Sequence, residues 1–277
     1  LSARLELAVT GIGFWAPRLP DWDTALGLLT GTRSAEETAR PRPAPALLAP
    51  NERRRAPDTV AIAIEAASAA CRAADRQPVE LPSVFASTHG DGAINDYLCA
   101  TLAASPTQVS PTRFHNSVHN AASGYWTIGT GCTKPSTALS AGPHTFAAGL
   151  LEACTQALAD QSPLLYIAYD AAVPGPVGQI CQSEGMIACA LVLEPLDSAS
   201  IERIKARIVW QIEAASATAP PARWPTVWEK ALPDNSMRQC LPLLALLAQE
   251  GASSLRMPVS EHGVLRIDRL ADASDPV

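Results

Sequence analysis

Aromatic residues are scarce in this chain, at 5% of 277 residues, and charged residues make up only 17%. With 47% hydrophobic residues, a sizeable core has to be built from Ala, Leu, Ile and Val. Small side chains of that kind favour tight packing of helices on a sheet. Long basic runs are missing as well. Arg53, Arg54 and Arg55 form the only cluster, and the net charge is -6. Binding along a phosphate backbone needs many Lys and Arg contacts, so no nucleic-acid partner is expected. The three arginines read as a solvated helix start, or as a docking point for an acidic partner.

No C-x-x-C pair occurs. The seven cysteines are Cys71, Cys99, Cys132, Cys154, Cys181, Cys189 and Cys240, an odd number. Most lie in apolar surroundings, such as AASAACRAA and MIACALVL. Buried free thiols in a reducing compartment explain this better than a disulfide framework or a zinc site. No apolar run reaches membrane-spanning length, and no secretory n-region and h-region is found. The expectation is a soluble, cytoplasmic chain with no membrane span and no metal or cofactor.

What is present is an alternation of strands and helices. Residues 5–15, LELAVTGIGFW, read as a buried strand ending in a glycine turn. Asp23 is placed to cap a short helix that stops at Gly31. Residues 39–50, rich in Pro and Ala, form a loop. Residues 58–75 read as a strong helix, with Asp58 as N-cap. A strand at 83–88, a tight turn at His89-Gly90-Asp91-Gly92 and a helix near 93–104 follow. Residues 110–116 read as a loop and 117–129 as a helix. A strand at 136–141 leads to Gly142-Pro143 and a long helix, with Pro143 at its first position. Strands at 164–170 and 185–194 complete the run. Continuously apolar strands alternating with helices predict an α/β fold, a mixed sheet layered between helices.

From residue 197 the pattern changes. Residues 202–213 alternate as a strand does, 219–228 hold Pro and Trp, 235–249 read as helical, and 254–270 read as two short strands. The expected organisation is therefore residues 1–199 as the main unit and 200–277 as a C-terminal appendage.

Several segments, in order, resemble the β-ketoacyl synthase family. VTGIGFWAP at 9–17 is similar to its opening strand and turn, and ERRRAPDTVAIAIEAASAA at 52–70 to its first long helix. VFASTHGDG at 84–92 is similar to the strand and turn near its acyl pocket. VSPTRFHNSVHNAASGYWTIGTGCTKPS at 109–136 and SEGMIACALVLEPLDSA at 183–199 match in turn. The resemblance spans residues 5–199 and implies the N-terminal half of a thiolase-like fold. In that family a cysteine stands at the N-terminus of a buried helix, whose dipole and free N–H groups favour the thiolate and the oxyanion beside it. One alignment puts that position on Pro143 and another on Leu139. Neither side chain can attack a thioester. The second half of the family's fold supplies two histidines and a lysine. The segment after 197 is too short for that half, and its only histidine is His262.

The resemblance thus implies a chain-length-factor-like subunit, of the short type associated with aryl-polyene and xanthomonadin pigments. It implies an active ketosynthase as partner, and an acyl carrier protein as the acidic partner. Thr88, Tyr97, Phe114, Pro143 and Phe146 would line or cap the acyl tunnel. Asn120 and Ser136, Thr137, Ala138, Leu139 and Ser140 would form the subunit interface, because in that family the strand before the cysteine pairs across the dimer axis. A lone half would also leave bare the face that the second half covers, and such a surface invites a partner.

Other readings stay open. Ser140, in a variant nucleophile elbow between strand and helix, is an alternative nucleophile for a serine acyltransferase or thioesterase-like enzyme. A homodimeric acyl-binding scaffold is a third reading. His115 and His119, four apart, have a spacing that binds metal on one helix face, but no third ligand is evident. His144 reads as a neutral residue near the dead site. GIGFWAP, with Gly11 and Gly13, lacks the G-x-G-x-x-G pattern and the acidic residue of a dinucleotide site.

Overall fold

The structure, a computed structural model, describes residues 5–181, 183–215 and 223–271. In chain order the described elements begin with β1 (Leu5–Trp15), α1 (Trp22–Thr30), α2 (Pro50–Arg55), α3 (Asp58–Ala73), β2 (Ser83–Ala86) and α4 (Gly92–Ala104). Next come α5 (Pro111–His115), α6 (Ala121–Thr130), β3 (Ser136–Leu139), α7 (Thr145–Ala159), β4 (Leu164–Ala171) and α8 (Gly175–Cys181). The last are β5 (Met186–Pro195), β6 (Ala206–Ala214), α9 (Thr226–Glu229), α10 (Leu241–Ala248), β7 (Ser253–Pro258) and β8 (Gly263–Arg269). Two 3₁₀ turns, Gly142–His144 and Ser236–Cys240, bear on the site.

The strands form one mixed sheet in the order β3-β2-β4-β5-β1-β6-β8-β7. β3, β2 and β4 are parallel. All the remaining neighbours are antiparallel. The segment after residue 199 therefore contributes β6, β8 and β7 to the same sheet. β1 is buried from Leu7 to Trp15 and needs cover on both faces. On one face α3 and α6 pack with Trp15, Ile62, Phe85, Trp126 and Tyr169. On the other, α7 packs with Phe14, Leu150, Tyr166 and Leu193.

The small residues set how closely these layers approach. A Cβ added at Gly13 would lie 2.0 Å from the Ala66 carbonyl oxygen, and one at Gly11 would lie 2.1 Å from that of Ala70. Gly11 and Gly13 thus let the alanine face of α3 rest on the β1 backbone. That is the tight helix-on-sheet packing the composition predicts.

The C-terminal segment supplies part of the cover that was expected to come from a partner. Trp228, Leu232, Met237, Cys240 and the Leu241–Leu247 run join the cluster on the α7 face. The physical reason is the unbroken apolar run LPLLALLA, which has no stable place outside a core.

Several local expectations are corrected. Asp21 caps α1, with its carboxylate accepting from the Thr24 amide at 2.7 Å. Asp23 lies in the first turn of the helix. Pro57 is the N-cap of α3, and Asp58 is its first residue, paired with Arg42 at 3.1 Å. Arg53–Arg55 form the last turn of α2 and not a helix start, the end at which the helix dipole favours cations. The segment 110–129 divides into α5, begun by the Ser110 cap and Pro111, and α6, begun after Asn120. Pro143 opens the 3₁₀ turn and not α7 itself. Residues 219–222 of the Pro- and Trp-containing stretch lie outside the described residues.

Candidate functional site

The C-terminal ends of parallel strands are where open α/β sheets hold ligands. Here the ends of β2, β3 and β4 converge. β2 runs into Ser87, Thr88 and His89, and the turn is organised by Asp170, the penultimate residue of β4. Asp170 is fully buried. Its carboxylate accepts from the Ser87 hydroxyl at 2.8 Å, the Thr88 amide at 3.0 Å and the His89 amide at 3.2 Å. Burial pushes its pKa above the ordinary carboxylate value, while these hydrogen bonds pull it back. Gly90 has φ +61°, and Asp91 caps α4 through the Ile94 amide at 2.8 Å. The sequence 89–92 is thus a tight turn feeding a helix. His119 fastens it from outside, with Nε2 2.9 Å from the Ser87 carbonyl oxygen.

The β3–α7 junction holds Leu139, Ser140 and Pro143, the positions singled out in the sequence. Ser140 is exposed, and its hydroxyl donates to the Thr88 carbonyl at 3.0 Å. Thr145 closes the turn, accepting from the Ala141 amide at 2.9 Å and donating to the Gly142 carbonyl at 2.8 Å. Pro143 is exposed, His144 is half-buried and Phe146 is fully buried. The Phe146 amide, in the first turn of α7, donates to Gln239 Oε1 at 3.3 Å. Leu139 is half-buried at the end of β3. No sulfur stands at this junction. Cys132 is buried before β3, and Cys154 is buried inside α7, where desolvation pushes its thiol up to about 12. A thiol so raised is protonated and unreactive at neutral pH.

The tunnel candidates divide into groups. Pro143 and Phe146 line a cavity of about 210 Å³ with Trp224, Gln239, Pro242 and Met257. Tyr97 and Phe114 do not line it. Tyr97, on α4, accepts from the Ser110 amide at 3.1 Å and lies under the Arg113 guanidinium, 3.9 Å from its ring centroid. Phe114 on α5 is 66% exposed. Thr88 is half-buried beside Ser140.

The interface candidates lie on and just after β3 and at the start of α6. β3 is an edge strand, paired with β2 alone. The Ser136 hydroxyl lies 2.9 Å from those of Ser83 and Ser123, and Thr137 accepts from Gln156 Nε2 at 3.1 Å. Ala138 is half-buried. Asn120, at the start of α6, lines a cleft of about 490 Å³ with Leu47, Val118, Tyr125 and Ile128. Val118 and Ile128 are strongly exposed.

His115 ends α5 and His119 lies in the turn after it, so the two share no helix. Among the described residues no group of three metal-ligating side chains is found. His262 is exposed between β7 and β8. One pair was missed in the sequence. His89 Nε2 and Ser236 Oγ lie 2.8 Å apart although 147 positions separate them. No spacing rule reaches that far.

A mixed sheet between helix layers, with a strand–helix junction at the ends of its parallel strands, defines a thiolase-like α/β fold. Residues 30–235 match the family described as "Beta-ketoacyl synthase, N-terminal domain". The chain belongs to that family. No curated protein sequence matches it. Among solved structures it is similar to a chain of the complex of the ketosynthase ApeO with its chain length factor ApeC from Xenorhabdus doucetiae. The TM-score is 0.66 at 23% identity, over 95% of this chain and 99% of that one. A chain of the type II acyl-carrier-protein–ketosynthase complex AntDE:AntF gives 0.71 at 14% identity, over 97% and 100%. A β-ketoacyl synthase of Burkholderia phymatum gives 0.61 at 16% identity, over 88% and 70%. Identities this low show the shared fold. Among the described residues no helix is long and apolar enough to cross a membrane.

Proposed function

We propose that this chain is a ketosynthase-like subunit that performs no condensation, and pairs with an active β-ketoacyl-ACP synthase in polyketide, aryl-polyene or fatty-acid-type elongation. The β3–α7 junction carries this reading. Leu139 and Pro143 occupy the two candidate positions of the family's cysteine, and neither is a nucleophile. Pro143 also has no backbone N–H to offer an oxyanion.

In this reading residues 1–199 are the ketosynthase-like part, and β6, β8 and β7 of the segment 200–277 extend its sheet. The free edge of β3 with Asn120 meets the partner, with Ser136–Ser140 in the contact. Thr88, Tyr97 and Phe114 lie toward the acyl tunnel, while Pro143 and Phe146 close the vacated pocket. The exposure of Phe114 suits a side chain that a second subunit covers. One similar structure pairs a ketosynthase with a chain length factor, and another holds a ketosynthase with its carrier protein. Both support the same two partners here.

Co-expression with an active ketosynthase tests the proposal. The expected result is a stable 1:1 complex, in which bulkier residues at Thr88 or Tyr97 shorten the product. Stable homodimers with no affinity for the ketosynthase would count against it, and condensation of malonyl and acyl units by this chain alone would end it.

A further inference from the structure

We infer that Ser236 and His89 form a nucleophile–base pair that takes an acyl group from an activated ester and releases it to water. This activity goes beyond the partner role proposed above and does not depend on it.

His89 Nε2 and Ser236 Oγ stand 2.8 Å apart, the reach at which an imidazole can take a hydroxyl proton. Both side chains are half-buried, so solvent and substrate can reach them. Each is held from behind by the same residue. The His89 amide donates to the Asp170 carboxylate at 3.2 Å. On the other side, Asn235 Nδ2 donates to the Asp170 carbonyl at 3.3 Å and to the Glu184 carbonyl at 2.9 Å. Asn235 Oδ1 caps the 3₁₀ turn through the Met237 amide at 2.9 Å. The Ser236 amide donates to the hydroxyl of buried Ser183 at 3.3 Å. These bonds fix the two backbone segments that carry the pair.

Gln239, in the same 3₁₀ turn as Ser236, links the pair to an apolar cavity. In a 3₁₀ turn, residues three apart eclipse, so Gln239 stands on the side of Ser236. Its Oε1 accepts from the Phe146 amide, which leaves its Nε2 hydrogens as donors for a developing oxyanion. Gln239 also lines the apolar cavity of about 210 Å³ with Phe146, Pro143, Trp224 and Met257. That cavity has the size and lining for a short acyl chain.

The chemistry balances with water as the only co-reactant. Ser236 Oγ attacks the acyl carbonyl while His89 Nε2 takes the hydroxyl proton. The bond to the leaving sulfur or oxygen breaks, and the leaving group takes that proton from the imidazolium. Water then attacks the serine ester with the same base. A carboxylic acid leaves and Ser236 regains its proton.

The test uses the purified full chain and an alkyl fluorophosphonate, with peptide mapping of the adduct. The expected result is one adduct, on Ser236, absent in Ser236→Ala and unchanged in Ser198→Ala. Labelling is expected to slow by at least about tenfold in His89→Gln. Thiol release from hexanoyl-N-acetylcysteamine and phenol release from p-nitrophenyl hexanoate separate thioester from oxoester preference. Ser236→Cys keeps a nucleophile and should retain a stable acyl adduct even if the alanine variant folds poorly. An adduct on Ser140, equal labelling in Ser236→Ala, or no adduct on a folded wild-type chain would overturn the inference.

Discussion

Two buried acids are held in opposite ways. Glu194 is fully buried and takes Arg76 as its cation, with Thr10 Oγ1 donating at 2.7 Å. Asp170 is equally buried, and its hydrogen-bond donors are a hydroxyl and backbone amides. Burial therefore dominates, and its folded pKa lies above the ordinary carboxylate value. In the unfolded chain that pKa is ordinary, so between the two values the folded state binds the extra proton. Asp170 then makes the chain less stable as pH rises through that interval, and the cost is absent below it. Asp170→Asn should remove this dependence. Urea midpoints measured from acid to neutral pH are expected to change less in the variant, and an equal slope would refute the assignment. Single residues were only partly legible. The place of Ser140 between strand and helix could be read in the sequence. That its hydroxyl is spent on the Thr88 carbonyl could not be read, because this bond depends on where β2 ends beside β3.

At the scale of elements, β3 has one free side. The Ser83 amide donates to the Pro135 carbonyl, and the Ser87 amide to that of Leu139. By the alternation of a parallel ladder, Ser136 and Ala138 turn their backbone groups away from β2. Ala138→Pro would remove an outward N–H and leave the β2 ladder intact. The expected outcome is a chain that melts close to wild type but no longer co-elutes with its ketosynthase partner in size-exclusion chromatography. Co-elution unchanged would take β3 out of the interface. Long elements were legible because their apolar patterns are long: α3, α7, β1, β4 and β5 fall within a few residues of their predicted bounds. Two short helices were not. α5 rests on one serine cap and one proline, and α8 carries two exposed residues, Val177 and Ile180, in place of an apolar face.

At the scale of the molecule, the C-terminal segment is part of the core. Trp228 is fully buried and its indole N–H donates to the Ala25 carbonyl at 3.0 Å, tying α9 to α1. Trp228→Ala should cost about 3–5 kcal/mol, read from guanidinium unfolding as a single transition at lower denaturant. Two separate transitions would mean that the segment folds apart from the sheet. The sequence did not show that the strands β6, β8 and β7 join the sheet of the first part, because alternation reveals a strand but not its neighbour.

The place of β1 between β5 and β6 has a consequence for biosynthesis. This strand finds both hydrogen-bonding neighbours among strands translated much later. Until they emerge, its unpaired edges and apolar faces are open to other nascent chains. Sheets assembled from such distant pairings form slowly and aggregate from their intermediates, so the yield of this protein should depend on chaperone capacity and on slow translation at low temperature.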